Sequence, residues 1–232
     1  MPGRGLPVLA EISAPRPGES GAWSLRRDDF EALAPVRERL DGHRVVVVTG
    51  SEGLVAGAAL AVASAASAVG RRTVLLECEL AQPSVAAGVG LKTAPGLHEY
   101  LRWEVAAPQI LQPLVLAGPA ARGAAGPLVC IVAGRPAADA PTLLGSESFR
   151  HATAKLGAAY ELTVVVAPSL EYGNGSLEAV AARGDAVLAC VGPDRTSGRE
   201  RRRLRKTLKR LSPPTLGTVV VTQPEPGEPQ RS

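Results

Sequence analysis

The chain has 232 residues, with 26 Lys+Arg against 22 Asp+Glu for a formal net charge of +4, and its composition is 45% hydrophobic but only 3% aromatic. That length suits one substantial α/β domain with a real core, and the small charge excess excludes a strongly basic protein. A core drawn from Val, Leu, Ala and Ile fits parallel strands buried on both faces and covered by alanine-rich helices.

In chain order, residues 1–27 read as an extended arm and linker, in which Leu6 to Ile12 forms a short strand and the Pro/Gly-rich stretch after it a connection. Prolines and charges break this stretch, so it lacks the apolar run of a secretory leader and a cytoplasmic location is expected. Asp28 to Leu40 follows as a helix with acidic residues in its first turn. The pattern then alternates. Strands are expected at Arg44–Thr49, Thr73–Glu77, Leu128–Ala133, Leu162–Ala167, Ala186–Val191 and Gly217–Thr222. Helices are expected at Ala56–Val69, Gly96–Arg102, Pro141–Leu156, Ser176–Ala182 and Gly198–Leu211. This alternation implies an α/β domain over 28–222 with a mostly parallel sheet and helices on both faces. The proline-rich tail 223–232 reads as disordered.

The stretch from Val45 to Gly70 has the layout of a phosphate-binding loop: a β-branched strand, a glycine-bearing turn, then an alanine-rich helix. Gly53 to Gly70 is uncharged but too poor in large apolar groups for a membrane span, so a buried helix is expected. The turn and helix start consist of Gly50, Ser51, Glu52, Gly53, Leu54, Val55, Ala56 and Gly57, with no lysine. In a working loop a lysine reaches the terminal phosphates and a Ser/Thr hydroxyl holds magnesium. Backbone N–H groups beside Gly50, Gly53 and Gly57 could still face an anion, but Glu52 would repel it. ATP and magnesium are therefore expected only if this altered loop still binds them.

Several further residues invite chemical readings. Glu77 and Glu79 alternate at a strand end, which could put two carboxylates side by side for acid/base or metal work; the plainer reading is a strand end exposed to solvent. His43, His98 and His151 lack metal spacing and suit surface or helix-cap positions. Cys78, Cys130 and Cys190 sit in or beside apolar runs and read as small buried hydrophobes. The segment from Gly198 to Leu211 places Leu204, Leu208 and Leu211 at helical spacing opposite a basic face. Arg199, Arg201, Arg202, Arg203, Arg205 and Lys206 on that face suit either solvent or an anionic membrane surface at the inner leaflet. Without interleaved aromatics, specific nucleic-acid binding is not expected.

Taken together, VVVVTGSEGLVAGAALA, GRRTVLLECELAQPS, PGLHEYL and the stretch from Val132 to Ser169 resemble the bacterial tyrosine kinases of capsule and exopolysaccharide biosynthesis, P-loop proteins related to the MinD and ParA ATPases. The resemblance runs from Leu6 to Thr222. It implies a P-loop NTPase-like fold and, on alignment by motif, places the Walker A lysine at Val55, its Ser/Thr at Ala56 and the Walker B aspartate at Val166. The second acidic motif falls on Glu77 and Glu79, and the family's oligomerisation helix on Asp28 to Arg37, with Glu31 and Ala34 at its arginine positions. The tyrosines are Tyr100, Tyr160 and Tyr172, so the tail carries no tyrosine cluster. The resemblance thus implies a catalytically degenerate member, without a bound cofactor or metal, that partners a membrane-embedded polysaccharide chain-length regulator. Two alternatives stand beside it: an active kinase or ATPase in which Glu77 and Glu79 hold metal and Arg71 or Arg135 replaces the lysine, and a MinD-like membrane-positioning protein.

Overall fold

The structure, a computed structural model, describes residues 6–14, 23–124, 126–170, 175–193 and 198–222, with the backbone alone at 198–201. The tail 223–232 and most of the proposed linker, 15–22, lie outside the described residues.

Eight strands form the main sheet: β1 (Val8–Ser13), β3 (Val45–Gly50), β4 (Thr73–Glu77), β5 (Gln112–Leu114), β7 (Leu128–Ile131), β8 (Leu162–Val166), β9 (Ala186–Val191) and β10 (Thr215–Thr222). Their order across the sheet is β1-β10-β9-β3-β8-β4-β7-β5. All neighbours are parallel except β5, which runs antiparallel to β7. A second pairing, between β2 (Trp23–Ser24) and β6 (Leu116–Ala117), lies outside this sheet. The leading strand Val8–Ser13 is the sheet's edge and pairs with β10, so the first residues of the chain help build the main sheet.

Strand β3 sits near the middle, with Val46 opposite Val164 of β8 and opposite Ala186 of β9. Its side chains alternate between two apolar layers. Val46 and Val48 join Leu75, Val164, Val166 and Leu188 on one face, while Val45 and Val47 join Val74, Leu76, Val165 and Val187 on the other. The period of two makes both layers hydrophobic, which is why these strands read as unbroken apolar runs.

On the first face lies α3 (Val55–Ala68), a helix buried nearly all round because alanine and serine side chains let it approach the sheet closely. Helices α1 (Arg27–Ala32) and α2 (Ala34–Arg39) share that face with α6 (Pro119–Arg122). The other face carries α5 (Leu97–Leu101), α7 (Ala140–Leu144), α8 (Glu147–Ala159), α9 (Ser176–Ala181) and α10 (Gly198–Leu208). A short helix, α4 (Val85–Val89), packs by Val85 and Val89 against the α3 layer.

Two expected helices are each split. Asp28–Leu40 breaks at Leu33 because Pro35 falls in the first turn of α2, where it supplies no N–H and blocks continuation from α1. Arg37 staples the halves, donating to the Phe30 carbonyl at 2.7 Å with its guanidinium 4.4 Å from the Phe30 ring centre. Pro141–Leu156 breaks at Gly145–Ser146, where the Ser146 hydroxyl accepts the Phe149 N–H and caps a fresh helix. The pairs β2/β6 and β5/β7 and the helices α4 and α6 are additions that short, irregular segments concealed from periodicity.

Candidate functional site

In an open parallel sheet, ligands gather beyond the carboxyl ends of the strands. Strand β3 ends there at Gly50, where a Cβ would overlap the Cys190 carbonyl of β9, so only glycine lets the two strands approach. Ser51 then donates its N–H to the same carbonyl at 3.0 Å. The turn passes through Gly53, in the left-handed region at φ +75, and α3 begins at Val55 with no side chain capping its first turn.

A cavity of about 370 Å³ opens beside this turn. One wall is Glu52 to Gly57 with Leu60; the opposite wall is Gln82, Ser84 and the α4 residues Val85, Gly88 and Val89. Val166, Ala167 and Ser169, at and beyond the end of β8, contribute the floor, and Ala14, Trp23 and Val221 complete the lining. The structure therefore brings together Glu52, Gly53, Leu54, Val55, Ala56, Gly57, Glu79 and Val166, while Gly50 and Ser51 lie just behind them. Val55 is 6% exposed and Val166 1% exposed, both packed in the core beside α3. Glu52 and Glu79 are the charged residues among the described lining residues, which include no Lys, Arg or His.

The two acidic residues of the second motif have separate jobs. Glu77 is fully buried, which corrects the reading of a solvent-exposed strand end. Its Oε1 accepts the N–H groups of Ser84 at 2.7 Å and Val85 at 2.9 Å, and Oε2 accepts the Ala133 N–H at 2.9 Å. It thereby ties β4 to the first turn of α4 and to the segment after β7. Burial pushes its carboxyl above the ordinary range, against the pull of those three donors. Glu79 is half-buried at the cavity; burial raises its carboxyl too, against the pull of the nearby backbone N–H groups of Gln82, Ala81 and Ser169 and with a smaller push from the Glu77 charge. Among the described residues no three His, Cys, Asp or Glu side chains converge as a metal site.

Neither proposed substitute for the lysine reaches the turn. Arg71 precedes the start of β4, at the amino ends of the strands and so away from the turn, and donates to the carbonyls of Leu40, His43 and Glu161. Arg135 pairs with Glu99 at 2.9 Å and with Glu104 at 2.5 Å. His98, expected at a surface or helix-cap position, lies in the first turn of α5 and is buried: its Nδ1 meets the Arg135 carbonyl at 2.7 Å and its Nε2 accepts from Arg102 at 2.7 Å. His151 is exposed on α8. All three cysteines are buried thiols; burial pushes Cys130 and Cys190 up to about 12 and Cys78 well above its ordinary value.

Helix α10 packs by Leu204 and Leu208 on the sheet, joined by Leu211 after it, and Arg202, Arg203 and Lys206 are exposed while Arg205 is half-buried. The side chains of Arg199 and Arg201 lie outside the described residues. Among the described residues no helix is long and apolar enough to cross a membrane. Trp23 and Val85 escaped the motif reading, and Ser84 and Ser169, which end two of the motif stretches, were given no role of their own. Trp23 belongs to a two-residue strand without periodicity, and Ser169 follows a strand whose own residues carry the recognisable pattern.

This geometry has structural counterparts. The BceF tyrosine kinase domain superposes with a TM-score of 0.74 at 19% identity, covering 94% of this chain and 94% of that one. The kinase domain of the Escherichia coli tyrosine kinase ETK superposes at 0.73 with 15% identity, covering 98% of this chain and 94% of that one. The chain has the tyrosine-kinase-type P-loop fold. The Pyrococcus furiosus cell division ATPase MinD shares it at 0.56 and 13% identity, over 76% of this chain and 71% of that one. No protein-family model and no curated protein sequence matches the chain.

Proposed function

We propose that this chain is a catalytically silent relative of the tyrosine-kinase-type P-loop proteins, acting as a binding or regulatory partner in capsular or exopolysaccharide assembly. One observation carries the reading: Val55, Ala56 and Val166, to which the motif resemblance assigns the cation, hydroxyl and carboxylate positions, line a cavity whose charged residues among those described are Glu52 and Glu79. A hydrogen bond to a charged group contributes about 1.5–3 kcal/mol, and metal neutralisation of a transferring phosphate contributes several more. Losing all of these, with Glu52 in the turn and Glu79 keeping an acid of the second motif, leaves a triphosphate repelled and its transfer unassisted. The cytoplasmic end of a membrane-embedded chain-length regulator is the partner this reading assigns. Purified protein incubated with Mg-ATP should give neither phosphate release nor tyrosine labelling. Turnover abolished by chelating magnesium would overturn the reading in favour of an active enzyme with an unconventional site, for which Glu77→Gln and Glu79→Gln should reduce activity.

The exposed Arg202, Arg203 and Lys206 of α10 favour a second reading, a peripheral MinD-like protein held at the inner face of the membrane. Co-sedimentation with vesicles should then rise with anionic lipid and fall with salt. Equal recovery on neutral and anionic vesicles would remove this reading.

A further inference from the structure

We propose that the cavity beside the altered loop binds a small organic amine with a compact apolar body, its ammonium group held by Glu79 and the Ser169 hydroxyl. The inference rests on the reading of the loop as catalytically silent, since a working nucleotide would need the same space.

The walls supply the apolar half: Val55, Leu60, Val85, Val89 and Val166 all face the cavity. At about 370 Å³ it falls in the size range of small-molecule pockets, which combine apolar walls with a few placed polar groups. The polar half is acidic, with Glu52 and Glu79 and no basic side chain among the described lining residues, so anionic ligands are repelled and cations attracted.

A second observation points to a missing ligand atom. The Ser169 hydroxyl is in a residue 4% exposed that lines the cavity, yet it has no hydrogen-bond partner among the described residues. Burying an unpartnered hydroxyl is costly unless something completes it. The Ser169 backbone N–H lies close enough to act electrostatically on the Glu79 carboxyl, and both residues line the cavity, which puts the hydroxyl and the carboxylate on one short stretch of surface. An ammonium group, with its several N–H donors and no acceptor, would bond to both at once. The Trp23 indole Nε1, in a residue 3% exposed that also lines the cavity, likewise has no partner among the described residues. It offers a donor to a hydroxyl or carbonyl elsewhere on the same ligand. A metal ion is the poorer occupant, because no three acidic, His or Cys side chains converge among the described residues.

Titration calorimetry of the full chain with 3-phenylpropylamine, 3-phenylpropanol, 3-phenylpropionate and Mg-ATP tests the assignment. The amine should bind more tightly than the alcohol, and the carboxylate and Mg-ATP should give no heat. Glu79→Gln should weaken amine binding about tenfold or more, the loss of a charge-assisted hydrogen bond, and Ser169→Ala should weaken it by a smaller factor. Val89→Phe should block binding by filling the cavity while circular dichroism confirms an unchanged fold, which keeps the test decisive if Glu79→Gln folds poorly. Equal binding of amine and carboxylate, or amine binding unaffected by Val89→Phe, overturns the assignment. Mg-ATP turnover would overturn the silent-loop reading, whereas absence of both turnover and amine binding would overturn the amine assignment alone.

Discussion

Glu77 Oε2 accepts the Ala133 N–H at 2.9 Å, so a carboxylate read as a solvent-exposed strand end, with acid/base or metal work as the other reading, instead joins β4 to the segment following β7. With Oε1 holding Ser84 and Val85, the residue is a three-way brace beneath the cavity's α4 wall. Removing it leaves the buried N–H groups of Val85 and Ala133, and the part-buried one of Ser84, without this acceptor. Glu77→Ala is therefore expected to cost about 3 kcal/mol or more, with Glu77→Gln costing less because it keeps one acceptor oxygen. Urea denaturation checks this, and an alanine variant as stable as the parent would contradict the brace.

Val166 lies between Val48 and Glu77 in the sheet register and is 1% exposed. Reinstating an acid there by Val166→Asp would bury a second carboxylate beside Glu77, at a cost of about 3 kcal/mol. A midpoint of chemical unfolding equal to that of the parent would show that the position tolerates charge.

His98 Nε2 accepts from the Arg102 guanidinium, which can only donate, so the ring proton sits on Nδ1 and is donated to the Arg135 carbonyl. Nitrogen-15 NMR at neutral pH should find the Nδ1–H tautomer, and Arg102→Ala should shift the Nε2 resonance. An Nε2–H tautomer would show that this contact is not made in solution.

Two carboxyls give opposite pH signatures. Glu99 is buried, which alone would raise it, but the N–H groups of Gly96 and Arg135 and the Arg135 side chain hold it below the ordinary range. Its contribution is full above the unfolded carboxylate value and is lost as pH falls through its lowered folded value. Glu77, raised by burial, favours the fold most at low pH and loses that advantage as pH rises through its folded value. Glu99→Gln should thus flatten the acid limb of the stability curve, from the ordinary carboxylate range downward. Parallel curves for variant and parent would exclude the role assigned to Glu99.

The thiols of Cys78, Cys130 and Cys190 are buried and, by loss of hydration, held far from ionisation. Native protein at about pH 8 should resist an aromatic disulfide reagent and release three equivalents of thiol only after denaturation. Rapid labelling of any one in the folded state would place it at the surface.

How much was legible follows the same physics. The six expected core strands and the buried α3 helix announced themselves because short unbroken apolar runs and a long uncharged, alanine-rich stretch are local properties of the chain. The two splits depended on Pro35 and on Ser146, whose signals are weaker than the apolar periodicity around them. At the site, the loop from Gly50 to Gly57 was visible as glycines after a β-branched strand, and so was the absence of a lysine from it. What the side chains of Glu77, His98 and Arg135 do was not visible, since each takes partners far off in sequence whose positions depend on how β4, β7 and α5 pack.

Sequence alone determined the layered α/β plan and the chemical types at the loop, since both reside in residue order and spacing. Only the tertiary structure decided that Glu77 is a brace, that Arg71 is tied at the amino ends of the strands, and that Glu79, Ser169 and Trp23 meet at one cavity. Hydrogen bonds and burial depend on which distant segments come together, and strand order, unlike periodicity, is a property of the whole chain.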